Sequence, residues 1–329
     1  MIIRVLLAFA LSFAVTYFVG RILVPALRRM KAGQSIREDG PVWHMSKQGT
    51  PTMGGLMFIA GVTSGIFFTF GDMAKGNFIF LIILGFALVY AAIGFFDDYE
   101  KLKKKQNLGL TALQKFALQL GVAVVLIVIL RVTGHISPNL YIPFFNTTII
   151  MPDWLYYILA AFIIVGTVNA VNITDGVDGL VTGVSIPVAL CYAAVAVVWG
   201  YVSVGVFAAA LAGGLAAFLI FNFHPAKVFM GDTGSLFLGG AVCALAFALD
   251  APLILIPLGI VYIVETLSDI IQVAYFKLTH GKRIFKMAPL HHHFEMCGWS
   301  EYKLFAVFSA VSAVFAVISY LGLFNRYVI

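Results

Sequence analysis

Hydrophobic residues in this chain come in long unbroken runs rather than in alternation. Runs of about 20 apolar residues match the length of a helix that crosses a bilayer, whereas a half-buried strand would alternate. Ten such segments are predicted, near residues 2–24, 53–70, 78–96, 112–131, 153–170, 180–199, 202–220, 234–250, 252–276 and 302–323. The pairs meeting near 200 and 251 are closely spaced. One stretch breaks the pattern: Tyr141 to Ile150 places turn residues between two β-prone runs, which predicts a small hairpin.

Composition turns this pattern into a fold class. Of 329 residues, 61% are hydrophobic and 11% charged, and the mean hydropathy is +1.00. Soluble domains carry roughly 25% charged residues, so the apolar surface here needs lipid as its solvent. Within lipid every backbone group must be satisfied internally, and continuous runs do this as helices. The expectation is an all-α polytopic membrane protein forming one domain over 1–329, with no repeat. Arg4 followed by apolar residues resembles a signal peptide, but the run continues to about Val24 and reads as a first transmembrane helix.

Charge then orients the helices. Arg28, Arg29, Lys31, Arg37 and Lys47 lie in the first loop, Lys101, Lys103, Lys104 and Lys105 in the third, and Lys277, Lys282, Arg283 and Lys286 in the ninth. Basic residues mark cytoplasmic loops. Odd loops are therefore expected inside, with both termini and the hairpin outside. The net charge of +6 reflects this bias and gives no reason to expect a nucleic acid partner. Cys191, Cys243 and Cys297 do not suggest a disulfide framework.

Polar residues of chemical interest collect in the odd loops. Asp97-Asp98 ends span three, with Lys101 one turn on; adjacent carboxylates at a membrane edge repel unless a cation joins them. Asn172, Asp175, Gly176, Asp178 and Gly179 follow span five with no basic residue among them. Asn222, His224 and Lys227 precede Gly231-Asp232-Thr233-Gly234-Ser235, a glycine-bearing helix start suited to phosphate. His291-His292-His293 are adjacent, a spacing that suits phosphate contact or acid–base chemistry better than zinc. Lys47, Thr52 and Gly54-Gly55 lead into span two. Glu265, Ser268, Asp269 and Gln272 form a polar stripe inside span nine. Each cluster alone also has a bland reading as a helix cap, a turn or a salt bridge. Together, carboxylates for Mg²⁺ with Lys and His for anionic oxygen make a kit for phosphoryl transfer at a membrane edge. That implies a soluble anionic substrate and a lipid acceptor. A prenyltransferase with paired Asp motifs and, more remotely, a transporter remain alternatives.

Asp97-Asp98, Asn172…Asp175-Gly…Asp178-Gly, Gly231-Asp232-Thr-Gly-Ser and the His triplet, taken in order, resemble the polyprenyl-phosphate N-acetylhexosamine-1-phosphate transferases. Gly49-Thr-Pro-Thr-Met-Gly-Gly55 and Ala288-Pro-Leu-His-His-His-Phe-Glu295 resemble the phospho-N-acetylmuramoyl-pentapeptide transferases within them. The resemblance spans essentially the whole chain. It implies transfer from UDP-N-acetylmuramoyl-pentapeptide to undecaprenyl phosphate, with release of UMP, and it implies a homodimer. It implies Asp232 as principal Mg²⁺ ligand with Asp97 and Asp98 beside it, and Asp98 as the group that deprotonates or orients the lipid phosphate. Lys101 and Lys105 would pair with phosphate. Lys47, Asn172, Asp175, Gly176, Asp178, Phe229, Gln272 and His292 would line the nucleoside pocket, with Phe229 on uracil and Thr52 and Asn222 close by. Direct attack and a covalent aspartyl intermediate both fit the sequence.

Overall fold

In a computed structural model of the protein, residues 1–30, 47–104, 109–324 and 326 are described. The first span is α1, Ile2–Arg29. The second is α2, Gly55–Gly65, continued by a 3₁₀ turn and a short helix α3, Phe70–Met73. Helices α4 (Ile79–Lys104), α5 (Ala112–Val132) and α6 (Asp153–Thr174) follow, then α7 (Leu180–Val198), α8 (Val202–Asn222) and α9 (Gly231–Ala248). Two short helices, α10 (Leu255–Leu258) and α12 (Leu290–Glu295), flank α11 (Ile260–Leu278), and α13 (Glu301–Phe324) ends the bundle. Nine of the described helical stretches are long and apolar enough to cross a membrane, ten with the bent α10–α11 pair.

Span nine differs from the straight helix expected over 252–276. It bends by 79° between Pro252–Leu258 and Ile260–Leu278. Pro257 and Gly259 flank the break: proline disrupts the hydrogen-bond ladder of the preceding turn, and glycine weakens helix continuation. Beyond the bend, α11 is amphipathic. Glu265, Ser268 and Gln272 are buried, while Val264, Leu267, Ile270 and Ile271 face outward.

Helices α8 and α9 form the buried centre. The first packs on α1, α2 and α7, the second on α2, α4 and α6. The hairpin forms as expected, with β1 (Asn139–Ile142) antiparallel to β2 (Thr147–Ile150) and Asn139 opposite Ile150. Its turn is tied to α13 by a hydrogen bond from Phe144 N–H to the Gly322 carbonyl. At that same end Arg326 pairs with Asp250 at 3.2 Å. Asp72, at the even connection between spans two and three, accepts from Arg4 at 2.7 Å and from Ser203 at 2.8 Å. The odd connections gather at the other end.

Candidate active site

The carboxylates reach one another because α4 and α9 touch almost backbone to backbone. A Cβ on Gly94 would collide with the Asp232 carbonyl, so only glycine allows this approach one turn before Asp97. The gap between α4 and α9 is then narrow enough for side chains of both helices to share partners.

Lys101 Nζ lies 2.6 Å from Asp97 Oδ2 and 2.9 Å from Asp232 Oδ2. A second ammonium, Lys115, reaches Asp232 Oδ2 at 2.8 Å. Asn172 donates to the other Asp232 oxygen at 2.8 Å and to Ser235 Oγ at 2.7 Å. Asp97 Oδ1 accepts the Leu110 N–H at 2.8 Å. Oxygen donors from two helices thus converge on one point already held by a cation. Hard oxygen ligands in that arrangement fit a small divalent ion.

Asp98 is placed differently from its neighbour. Its Oδ1 accepts the Asp232 N–H at 3.1 Å, and its Oδ2 accepts the Thr233 N–H at 2.9 Å and the Thr233 hydroxyl at 2.7 Å. It is 3% exposed. This carboxylate caps the N-terminus of α9 from another helix, satisfying orphan donors and opposing the positive end of the helix dipole. The expectation that it handles the lipid phosphate meets a group whose two oxygens are already committed to the fold.

A second grouping sits beside the first. Lys47 Nζ bridges Asp178 at 2.8 Å and Glu301 at 2.7 Å. His224 Nδ1 is 3.0 Å from the other Asp178 oxygen, which also accepts the Ala226 N–H at 2.9 Å. Between the groupings stands Asp175. Burial, with the charges of Asp232, Asp98 and Asp178 adding to it, pushes its carboxyl up to about 8. A nearby cation would relieve that repulsion.

The remaining expected residues divide into contacts and supports. Phe229 is half-buried, and its backbone pairs with the segment before α2 through Phe229 N–H to Pro51 O and Gly54 N–H to Phe229 O. Thr52 is buried against Gly231. Asn222 accepts from Thr182 and donates to the Val228 carbonyl, so it braces the α8–α9 loop. Gln272 donates one amide N–H to the Phe285 carbonyl and accepts the N–H groups of Ile284 and Phe285. It pins the loop after α11. His291 bonds Glu265, His292 bonds Glu295 at 2.6 Å, and His293 accepts the Lys286 N–H. Gly176 packs against the His291 ring. Lys105 lies outside the described residues.

Lys115 and Glu301 belong to these networks although the sequence does not point to them, and Glu265, of the polar stripe expected in span nine, joins them through His291. Lys115 carries only a weak signal. It stands in the first turn of α5, just after the capping box of Thr111 and Gln114, where the helix dipole disfavours a cation. Glu301 occupies an ordinary N-terminal helix position, and nothing local distinguishes it.

Known proteins are similar to this chain across these same residues. Residues 80–250 match the model of glycosyl transferase family 4. Residues 47–59 match the phospho-N-acetylmuramoyl-pentapeptide-transferase signature 1. Proteins named phospho-N-acetylmuramoyl-pentapeptide-transferase are similar along nearly their full length. That of Heliobacterium modesticaldum is 50% identical over 95% of this chain and 96% of its own. Those of Geobacillus thermodenitrificans and Staphylococcus aureus are 45% and 47% identical, over 95% and 94% of this chain and 96% of each relative. A signature that falls on the Lys47–Ile59 segment, a family match across the Asp97–Asp232 site and identity of this extent place the chain in the phospho-N-acetylmuramoyl-pentapeptide-transferase family.

Proposed function

We propose that this multi-pass membrane protein transfers the phospho-N-acetylmuramoyl-pentapeptide group of UDP-N-acetylmuramoyl-pentapeptide to undecaprenyl phosphate, with Mg²⁺, at the cytoplasmic face. The products are UMP and lipid I, which makes this the first membrane step of peptidoglycan synthesis. The observation that carries the reading is the Asp97–Lys101–Asp232 convergence, where one ammonium stands between carboxylates of two helices. The loops around it are those with the basic residues, which supports the cytoplasmic orientation.

In the reaction, an oxygen of the lipid phosphate attacks the β-phosphorus of the nucleotide, and the bond to UMP breaks with its electron pair leaving on UMP. A bound Mg²⁺ would neutralise diphosphate charge and the developing charge on the leaving phosphate. Asp232 and Asp97 are the residues that would hold it. Lys101 and Lys115 then turn from the carboxylates toward phosphate oxygens, and Asn172 fixes the Asp232 carboxylate. The acceptor is a phosphate monoester with a second pKa near 6, so at neutral pH it is largely dianionic and needs orientation more than a strong base. We assign that orientation to the Lys101 ammonium, which Asp97 holds in place, and give Asp98 the task of holding α9 in place. Lys47, Asp178 and Phe229 serve the nucleoside end, and the triplet histidines the diphosphate. A homodimer, expected from the resemblance, is part of the proposal and is checked by the mass of the detergent-solubilised particle.

The test is UMP release by purified protein given UDP-N-acetylmuramoyl-pentapeptide, with and without undecaprenyl phosphate and Mg²⁺. Dependence on both is expected. UMP formed without lipid would instead point to a covalent intermediate, pyrophosphate release to prenyl transfer, and no release at all would overturn the proposal.

A further inference from the structure

The most deeply buried ion-pairing groups at this end of the bundle lie in neither carboxylate grouping. Glu265 of α11 is 0% exposed and His291 of α12 is 1% exposed. Their side chains meet at 2.9 Å, Oε2 to Nδ1, and the same Oε2 accepts the His291 backbone N–H at 3.3 Å. The outer atoms of the pair, Glu265 Oε1 and His291 Nε2, are buried with no hydrogen-bond partner. A buried polar atom left unpaired is costly and rare in a stable fold. Two on one pair, beside a candidate active site, call for a ligand or a function.

The direction of the ring supplies one. An ionised carboxylate only accepts, so the proton of a neutral His291 belongs on Nδ1, and Nε2 is the free end. Nε2 points at Gly176, where an added Cβ would collide with it. Gly176 follows Asp175 in the loop that leaves α6, whose last turns supply Asn172 to Asp232, and that itself supplies Asp178 to Lys47. The ring of His292 lies on the other side, with centroids 4.2 Å apart. His291 is thus clamped by α11 and aimed at a loop that lies between the two carboxylate groupings.

We propose that Glu265 is a positioning residue. It fixes the tautomer and direction of His291 so that Nε2 meets an anionic oxygen of the diphosphate donor over the Asp175–Gly179 loop. In that contact the ring donates from both nitrogens, Nδ1 to Glu265 and Nε2 to the anionic oxygen, with the buried carboxylate as counter-charge. No covalent bond changes in this step. The inference rests on the transferase reading above and adds a residue to it: the polar stripe of α11 orients a histidine as well as joining helices.

The experiment uses the full chain in detergent, with lipid-dependent UMP release, thermal unfolding, and ¹⁵N spectra of the histidine rings. Glu265→Gln is expected to lower kcat about 10–100-fold, the scale on which losing the carboxylate behind a functional histidine acts, and to shift the His291 ring away from the Nδ1-protonated form. In a His291→Asn background the same change is expected to cost nothing further, because Glu265 acts through that ring. Losses that multiply in the double variant, or an unchanged His291 spectrum in Glu265→Gln, overturn the inference. Should Glu265→Gln fail to fold, Glu265→Asp keeps the carboxylate and puts the same two questions. A silent wild type would defeat the transferase reading itself, whereas an active wild type matched by Glu265→Gln defeats only this step.

Discussion

Asp98→Asn separates two roles that adjacent carboxylates make easy to confuse. In the wild type the Asp98 oxygens take three hydrogen bonds from the first residues of α9. Asparagine keeps one oxygen and turns the other position into a donor. One backbone N–H of α9 then faces an N–H₂, and the negative charge at the helix N-terminus is gone. A lost cap costs about 1 kcal/mol, the lost charge–dipole term up to about 2 kcal/mol in a buried setting, and the orphaned donor about 1–3 kcal/mol. These overlap, so roughly 3 kcal/mol is the sum worth expecting. It should appear as a fall of several degrees in the unfolding temperature.

Activity should fall with it, because the helix start that Asp98 holds carries Asp232. A displacement of about 1 Å at a reacting group costs on the order of 100-fold. The control is Asp97→Asn, which removes a partner of Lys101 but no cap. It should lose UMP release with far less loss of thermal stability. The assay pairs UMP release with thermal unfolding on both variants. If Asp98→Asn were inactive yet as heat-stable as the wild type, the capping argument would fail, and Asp98 would return as the group that handles the lipid phosphate.

Three further outcomes follow from the same geometry. Gly55→Ala would drive a Cβ into the backbone of Gly234; overpacking of this kind costs about 1–3 kcal/mol, measurable as a lowered unfolding temperature. Lys115→Met removes one of two ammoniums from Asp232, so the Mg²⁺ concentration giving half-maximal activity should fall while kcat also falls; a raised Mg²⁺ requirement would contradict the placement. Asp175→Asn tests the carboxyl pushed up to about 8. The folded state holds this proton up to about pH 8, whereas the unfolded chain releases it near 4, so the wild type loses stability as pH rises between those values. The variant should gain on the wild type across that window, by at most a few kcal/mol, and by nothing below pH 4, as thermal unfolding in metal-free buffer would show.

Helix count, the hairpin and the gathering of odd loops could be read from the chain because each rests on a local rule. A 20-residue apolar run, a turn between β-prone residues and a cluster of lysines each carry their meaning without reference to distant residues. The bend at Gly259 was less legible. Its proline and glycine are visible, but continuous hydropathy runs straight through them. Within the site, Asp232 and Asp97 stood out as charges at membrane edges. The signal at Lys115, a cation near a helix N-terminus, is weak in the sequence because one lysine in an apolar run also snorkels in ordinary helices.

What no local rule supplies is the difference between residues of the same type. Asp97 and Asp98 are neighbours in sequence and similar in burial, yet one meets a lysine and the other a helix terminus. On a helix, consecutive side chains are rotated by about 100°, so Asp97 faces Lys101 and the α5 entry while Asp98 faces α9. The same separation divides Gln272 and Glu265 on α11: one spends its amide on a loop, and the other stands behind a histidine. Among the described residues, the site is therefore best understood as two layers. Asp97, Asp232, Lys101 and Lys115 form a charged inner layer whose oxygens and ammoniums pair with one another and, under the proposed function, exchange for substrate. Asp98, Asn222, Gln272 and Glu265 form an outer layer whose polar atoms hold helix ends, loops and a ring in place. Substitutions in the inner layer should act on turnover and metal dependence with little change in unfolding temperature. Those in the outer layer should change both together, except at Glu265, where one oxygen and one ring nitrogen remain to be satisfied.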